Sequence, residues 1–189
     1  MKSIIIIGSP RSGKSTLARR IATEFNINLI PMDALVTSFE KTMPKVGIRH
    51  HAASESEDKF APFLGVFIDD LISESIRPVV VEGSFIRVSK LKEWFSDEKF
   101  NLMALGYGKD ITTDELFNKI RKYDADGFDW TKKFDDDTIR QYCDKFINSN
   151  IKLRNDCEQN NIMFWDTSTN RDETLELIIK RLKKENSVL

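Results

Sequence analysis

The sequence predicts a three-layer α/β fold built on a parallel sheet of about five strands. Short β-branched or apolar runs recur at residues 4–7, 28–31, 78–81, 101–105 and 162–165. Stretches of helical periodicity separate them, and the first run leads into a glycine-containing turn and then a helix. Parallel strands joined through helices need right-handed crossovers, which cover both faces of the sheet.

Each element follows from its own pattern. Residues 4–7 are four consecutive isoleucines, as expected of a strand buried on both faces, and Gly8 ends the run. From Gly13 onward Leu17, Ala18, Ile21 and Phe25 share a helical face, with Asn26 as a natural stop. Residues 63–76 read as a helix opened around Pro62, because proline is tolerated in a first turn. Thr112 and Glu115 form a capping box ahead of Leu116 and Ile120. Asp135, Asp136 and Asp137 suit the positive end of a helix dipole before Ile139, Tyr142, Cys143 and Phe146. Asn170 with Glu173 opens the last helix, which presents Leu175, Ile178, Ile179 and Leu182. Two segments lack periodicity and read as loops: residues 44–56, with His50 and His51, and residues 123–133, with Gly127, Phe128 and Trp130. In an enzyme with a moving cover, the motion belongs there, and Phe128 and Trp130 read as hydrophobic anchors of a lid.

Composition narrows the function classes. A chain of 189 residues, 40% apolar and 31% charged, is expected to form one soluble globular domain. Its net charge of −1 gives no reason to expect nucleic acid or a membrane surface as a partner. Cys143 and Cys157 show neither a CxxC nor a histidine at zinc spacing, so they read as reduced thiols. Lys2 precedes an apolar run that is too short for a signal peptide, and no run approaches the ~20 residues of a membrane span. The expected compartment is the cytoplasm; the oligomeric state is left open.

Gly8-Ser9-Pro10-Arg11-Ser12-Gly13-Lys14-Ser15 is a complete G-x-x-x-x-G-K-[ST] sequence, set between a predicted buried strand and a predicted helix. The glycines let the backbone curl so that successive N–H groups face one point, and the helix start adds positive potential. Lys14 supplies a charge for the β- and γ-phosphates, and Ser15 a ligand for Mg²⁺. With Thr16 in the following turn, these residues are the candidate ATP-binding set. A chance turn needs neither the lysine nor the hydroxyl after it.

Such a loop does not by itself choose among kinase, GTPase and mechanical ATPase. The chain has no Asn-Lys-x-Asp for guanine, and Asp124-Ala125-Asp126-Gly127 spells DxxG only after a predicted helix. A motor or transporter would bring longer modules, for which little chain remains.

The order of motifs resembles the adenylate-kinase-like group of small P-loop kinases, which includes shikimate and gluconate kinases. Val79-Val80-Val81-Glu82-Gly83-Ser84-Phe85-Ile86-Arg87 is similar to the adenylate kinase strand ending in Asp-Gly-Phe-Pro-Arg, with glutamate for aspartate, one extra residue and no proline. The resemblance implies that Glu82 orients magnesium-bound water and that Arg87 clamps phosphates. Asp114-Glu115-Leu116 through Lys119 and Arg121 is similar to the helix leading into the lid; Lys119 stands where the family has an adenine-stacking arginine, and an ammonium does not stack as a guanidinium does. Asp135-Asp136-Asp137-Thr138-Ile139-Arg140 resembles the acidic exit of the lid, with Lys132 and Lys133 near the place of its missing first arginine. Met32-Asp33-Ala34-Leu35 falls where shikimate and gluconate kinases put an aspartate on the acceptor hydroxyl, and no arginine lies between Arg20 and Arg49 to serve an acceptor phosphate.

Weighed on residue chemistry, Asp33 is either a helix N-cap or an acceptor ligand; its place beyond a strand next to the phosphate loop favours the second. Glu82 closes a fully apolar run, where a carboxylate calls for a metal or a cationic partner. His50 and His51 are adjacent and diverge, which suits a loop position or one acceptor contact better than a metal. The resulting expectation is a single kinase domain over residues 1–189, with an acceptor-side segment at 33–76 and a small lid at 121–140. It would transfer phosphate from ATP with Mg²⁺ to a small-molecule hydroxyl or nucleotide, using Lys14, Asp33, Arg87, Arg121 and Arg140. The alternative is a nucleotide-binding regulatory or mechanical ATPase module without a small acceptor.

Overall fold

The isoleucine run at the start of the chain becomes the middle of the sheet. In the computed structural model, which describes residues 1–50, 54–75, 77–123 and 130–186, the strands are β1 (Ser3–Gly8), β2 (Asn28–Pro31), β3 (Val79–Glu82), β4 (Phe100–Gly106) and β5 (Met163–Asp166). They form one sheet in the order β2-β3-β1-β4-β5, with every pair parallel. Ile4, Ile5 and Ile6 sit opposite Val80, Val81 and Glu82 on one side of β1 and opposite Asn101, Leu102 and Met103 on the other.

Alternation along β1 divides the core into two layers. Ile5 and Ile7 face Phe60, Leu64, Ile68 and Leu91, whereas Ile4 and Ile6 face Leu17, Ile21, Leu175 and Ile178. The first group comes from α3 (Ser54–Ser75) and α4 (Val88–Trp94), joined by α2 (Met32–Thr42) and the C-terminal half of α6 (Asp136–Gln159); the second comes from α1 (Lys14–Phe25) and α7 (Arg171–Asn186). Since β1 leads to a helix on one face and β3 to a helix on the other, the crevice between their carboxyl ends is a topological switch point. α5 (Thr113–Lys122) packs on the N-terminal half of α6 through Leu116, Phe117, Ile120, Ile139 and Cys143.

The caps expected from sequence are in place. Asn26 is left-handed at φ 51° and ends α1, and the Asp135 carboxylate accepts the Thr138 N–H at 2.7 Å. At Thr112 both capping-box bonds form, Thr112 Oγ1 accepting from Glu115 N–H and Glu115 accepting from Thr112 N–H at 2.8 Å. Asn170 accepts from the Glu173 N–H, and its side-chain amide donates to the Glu173 carboxylate.

Other expectations need correction. The helix expected at 63–76 begins at Ser54 and runs through Pro62, and a 3-10 turn occupies Pro44–Val46, so residues 44–56 are only in part a loop. An interior proline costs about 3 kcal/mol in an isolated helix. Phe60, Ala61 and Leu64 are each fully buried around it, and the Ser56 hydroxyl bonds both the N–H and the carbonyl of Arg49, which holds the early start. The second half of the segment 123–133 contains a 3-10 turn at Trp130–Lys133, and the helices α2 and α4 were not marked by periodicity. The Trp130 ring stands edge-on to Phe134 and Tyr142 at 5.9 and 5.5 Å. His51, Phe128 and the tetrapeptide 124–127 lie outside the described residues. Among the described residues no helix is long and apolar enough to cross a membrane.

Replacing Thr112 with alanine removes a cap without touching the core. The expected loss is about 1 kcal/mol, read as a lower urea midpoint with an unchanged denaturant slope; an unchanged midpoint would show that α5 is held by packing alone.

Candidate functional site

Residues 8–15 leave β1, curl, and re-enter as α1. Gly13 takes φ 96° and Arg11 φ 65°, and the first intrahelical bond runs from Leu17 N–H to Gly13 O. The N–H groups of Lys14, Ser15 and Thr16 therefore have no acceptor within their own helix. The Ser12 hydroxyl is buried with no hydrogen-bond partner among the described residues. A concave run of unspent donors at a helix start fits an anion, and a chain of phosphates fits it best.

Lys14 is 7% exposed and donates from Nζ to the Ser9 carbonyl at 2.8 Å. Burial pulls its pKa down from 10.5 to about 8, against the opposing pull of Glu82 and then Asp33. Those two acids stand within electrostatic reach of the lysine because of local structure. Glu82 ends β3, is 8% exposed, and accepts from Ser15 Oγ at 3.2 Å. Burial raises its pKa, while Lys14 and Ser15 act in the other direction. Asp33 is exposed in the first turn of α2, one residue past Met32. A Cβ on Gly83 would lie 2.6 Å from Met32 Cβ, so the glycine lets α2 begin against the end of β3. Asp33 is not the N-cap: that position is Pro31, with no side-chain cap bond.

Arg87, Arg121 and Arg140 are each held in ion pairs. Arg87 Nε lies 2.8 Å from Glu57 and Nη2 2.5 Å from Asp58, both in α3. It lines a cleft of about 290 Å³ with Gly8, Ser9, Pro10, Ser84 and Lys152, whereas Asp33 and Glu82 do not border this cleft. Arg121 pairs with Asp136 at 2.5 Å and Arg140 with Asp114, and both guanidinium groups flank the Phe117 ring. Arg11 donates to the carbonyls of Ile120 and Tyr123, and Arg171 lies 3.5 Å over the Tyr123 ring while its stem packs beside Gly13. The end of α5 is thus fastened to the loop by Arg11, which lies within the loop motif, and by Arg171, which sequence spacing does not single out. Lys119 borders a second cavity of about 750 Å³ with Lys122, Arg154, Asp166, Ser168 and Thr169. His50 shares a hydrogen bond of 2.9 Å with the Thr37 hydroxyl and stands edge-on to Phe85.

No protein-family model matches the chain, and no curated protein sequence matches it. Solved structures do. A sugar kinase from Janibacter sp. HTCC2649 superposes with a TM-score of 0.61 at 12% identity, over 97% of this chain and 95% of that one. A gluconokinase from Sinorhizobium meliloti 1021 gives 0.56 at 18% identity over 97% of each chain. A shikimate kinase from Bacteroides thetaiotaomicron gives 0.54 at 14% identity, over 96% of this chain and 98% of that one. At such identities the likeness establishes the fold, and the chain has the P-loop kinase fold expected from its sequence.

The depressed Lys14 pKa has a consequence for stability. Between about 8 and 10.5 the unfolded chain holds a proton that the folded chain has released, so the burden of burying the charged lysine is full below about pH 8 and fades as pH rises toward 10.5. Relative to Lys14→Met, the unliganded protein should gain stability between about pH 7.5 and about pH 9.5 in urea unfolding. An equal difference at both values would show that Lys14 titrates normally.

Proposed function

We propose that the protein is an ATP-dependent kinase that phosphorylates a hydroxyl of a small, uncharged molecule. The observation that carries this reading is the convergence of Lys14, Ser15, Glu82 and Asp33 at the switch point, beside a loop whose N–H groups await an anion. Lys14 leaves the Ser9 carbonyl for the transferring phosphate, where its positive charge acts mainly in the transition state. Asp33, exposed and close enough to act on both Lys14 and Glu82, orients the acceptor hydroxyl and takes its proton.

Among the described residues no three His, Cys, Asp or Glu side chains group to hold a metal unaided. Ser15 and Glu82, joined by a hydrogen bond, would hold Mg²⁺ together with the nucleotide phosphates, and the ion would neutralise phosphate charge. The larger cavity, bordered by Lys119, Ser168 and Thr169, is assigned to the nucleotide base, and the smaller cleft at the start of the loop to the part of the acceptor away from its reacting hydroxyl, since Asp33 does not border that cleft. Arg87 in that cleft is already matched by Glu57 and Asp58, so a carboxylate or phosphate on the acceptor would gain Arg87 only by displacing two acids. That favours a neutral hydroxyl compound over a nucleoside monophosphate. Arg121 and Arg140 reach the transferring group only by exchanging Asp136 and Asp114 for phosphate.

ADP release from purified protein with ATP and a panel of sugars, polyols, nucleosides, hydroxy acids and monophosphates tests the reading. Acceptor-dependent release with a neutral hydroxyl compound is the expected result; release that no acceptor stimulates would favour a nucleotide-driven switch. Lys14→Ala should lower turnover at least ~100-fold with the fold retained. Asp33→Asn should lower kcat roughly 100-fold at unchanged ATP affinity, and a near-normal kcat would return Asp33 to a structural role.

A further inference from the structure

Asn150 sits in the middle of α6 and is 1% exposed. It occupies the helical stripe that otherwise carries Ile139, Cys143, Phe146, Leu153 and Cys157. A buried amide on an apolar stripe is destabilising unless its polar atoms are matched. Here they are: Oδ1 accepts from the Ser9 hydroxyl at 2.8 Å and from the Tyr107 N–H at 2.8 Å, and Nδ2 donates to the Tyr107 carbonyl at 2.9 Å. The amide pairs with Tyr107, just past β4, as a neighbouring strand residue would. Gly106 makes the approach possible, since a Cβ there would lie 2.2 Å from Asn150 Oδ1.

An apolar side chain would fill the stripe but leave the Tyr107 N–H without its partner, so the amide first of all completes the end of β4. What the amide adds is a hold on Ser9. The Ser9 N–H donates to Leu105 O at 2.9 Å, and its carbonyl accepts from Lys14 Nζ at 2.8 Å and from Ser12 N–H at 3.3 Å. The Tyr107 hydroxyl donates to the next carbonyl, that of Pro10. One side chain of α6 therefore fixes Ser9 directly and Pro10 through Tyr107.

We propose that Asn150 is a positioning residue for nucleotide phosphates: from α6 it fixes Ser9, and through Ser9 the curvature of the phosphate loop and the resting place of Lys14. The proposal rests on reading residues 8–15 as the nucleotide site. Without the anchor, the first half of the loop samples conformers whose carbonyls face the phosphates. The binding-competent fraction then falls, and the apparent affinity falls with it.

Calorimetric titration of ADP into the full chain tests this. Ser9→Ala should weaken binding ~10-fold while leaving the thermal midpoint of the unliganded protein close to wild type. Asn150→Leu should weaken binding at least as much, and the double variant should be no weaker than Asn150→Leu, because Ser9→Ala removes a bond that Asn150→Leu has already removed. Wild-type affinity in Ser9→Ala, or additive losses in the double variant, would overturn the proposal. Should Asn150→Leu fail to fold, Ser9→Ala decides alone, since it leaves both Asn150 bonds to Tyr107 intact. A wild-type protein that does not bind ADP would overturn the nucleotide reading itself; a wild type that binds and a Ser9→Ala that binds equally would remove only the role of Asn150.

Discussion

A lysine buried at the carboxyl end of a parallel sheet must find compensation, because desolvation disfavours its charge more than any single neighbour restores it. Lys14 is in that position, and much of the structure around it can be read as the answer. Its ammonium rests on the Ser9 carbonyl, and the acids Glu82 and Asp33 pull its pKa back up without cancelling the effect of burial. Glu82 is itself buried and raised, so the two groups sustain each other's charge and neither is comfortable alone. A phosphate chain would relieve both tensions: it supplies acceptors to the lysine and, with its metal, a cation to the carboxylate. The unliganded arrangement is thus poised toward an anion by the same terms that make it costly to keep empty.

That constraint dictates where other elements lie. β1 must be central, so that the loop it feeds opens at a switch point, and a strand covered on both faces must be apolar at every position, which four isoleucines satisfy. β3 must end beside it in an acid, and its next residue must be a glycine for α2 to start close by and bring Asp33 along. On the far side, the end of β4 is sealed by Asn150 and Tyr107, which tie the loop to α6, the longest helix among the described residues. Rigidity of the loop is therefore distributed over three elements remote in sequence.

These distances in sequence explain what could be read beforehand. The phosphate loop was legible because its residues are contiguous and each has its own chemical reason. β1, the capping box at Thr112 and the aspartates before α6 were legible for the same reason: the causes are local. The early start of α3 was hidden by Pro62, whose penalty is outweighed only by packing of Phe60 and Leu64 against a sheet assembled from elsewhere. Arg87 matched a family pattern, yet its two acidic partners lie on a helix some thirty residues earlier that was not expected to extend so far. Asn150 left one trace, a polar residue on an apolar stripe, which takes on meaning only when Ser9 and Tyr107 are seen to meet it.

The arginines sort by how firmly they are held, and this bears on the proposed chemistry. Arg121 and Arg140 pair with Asp136 and Asp114, both aspartates being well exposed at 67% and 76% of their side-chain surface. Exposed pairs of this kind contribute about 0–1 kcal/mol, whereas a charge-assisted bond to phosphate contributes roughly 1.5–3 kcal/mol. On the proposed function, exchange of partners would be downhill once a phosphate is within reach, and until then the pairs help to hold α5 and α6 together. Arg87 differs, because two carboxylates hold it and Glu57 is only a quarter exposed, with a pKa that burial raises. Releasing it would strand a half-buried acid. Arg87 is thus less available to an incoming anion than Arg121 or Arg140, and on the proposed reading this suits the cleft it borders to an acceptor without charge.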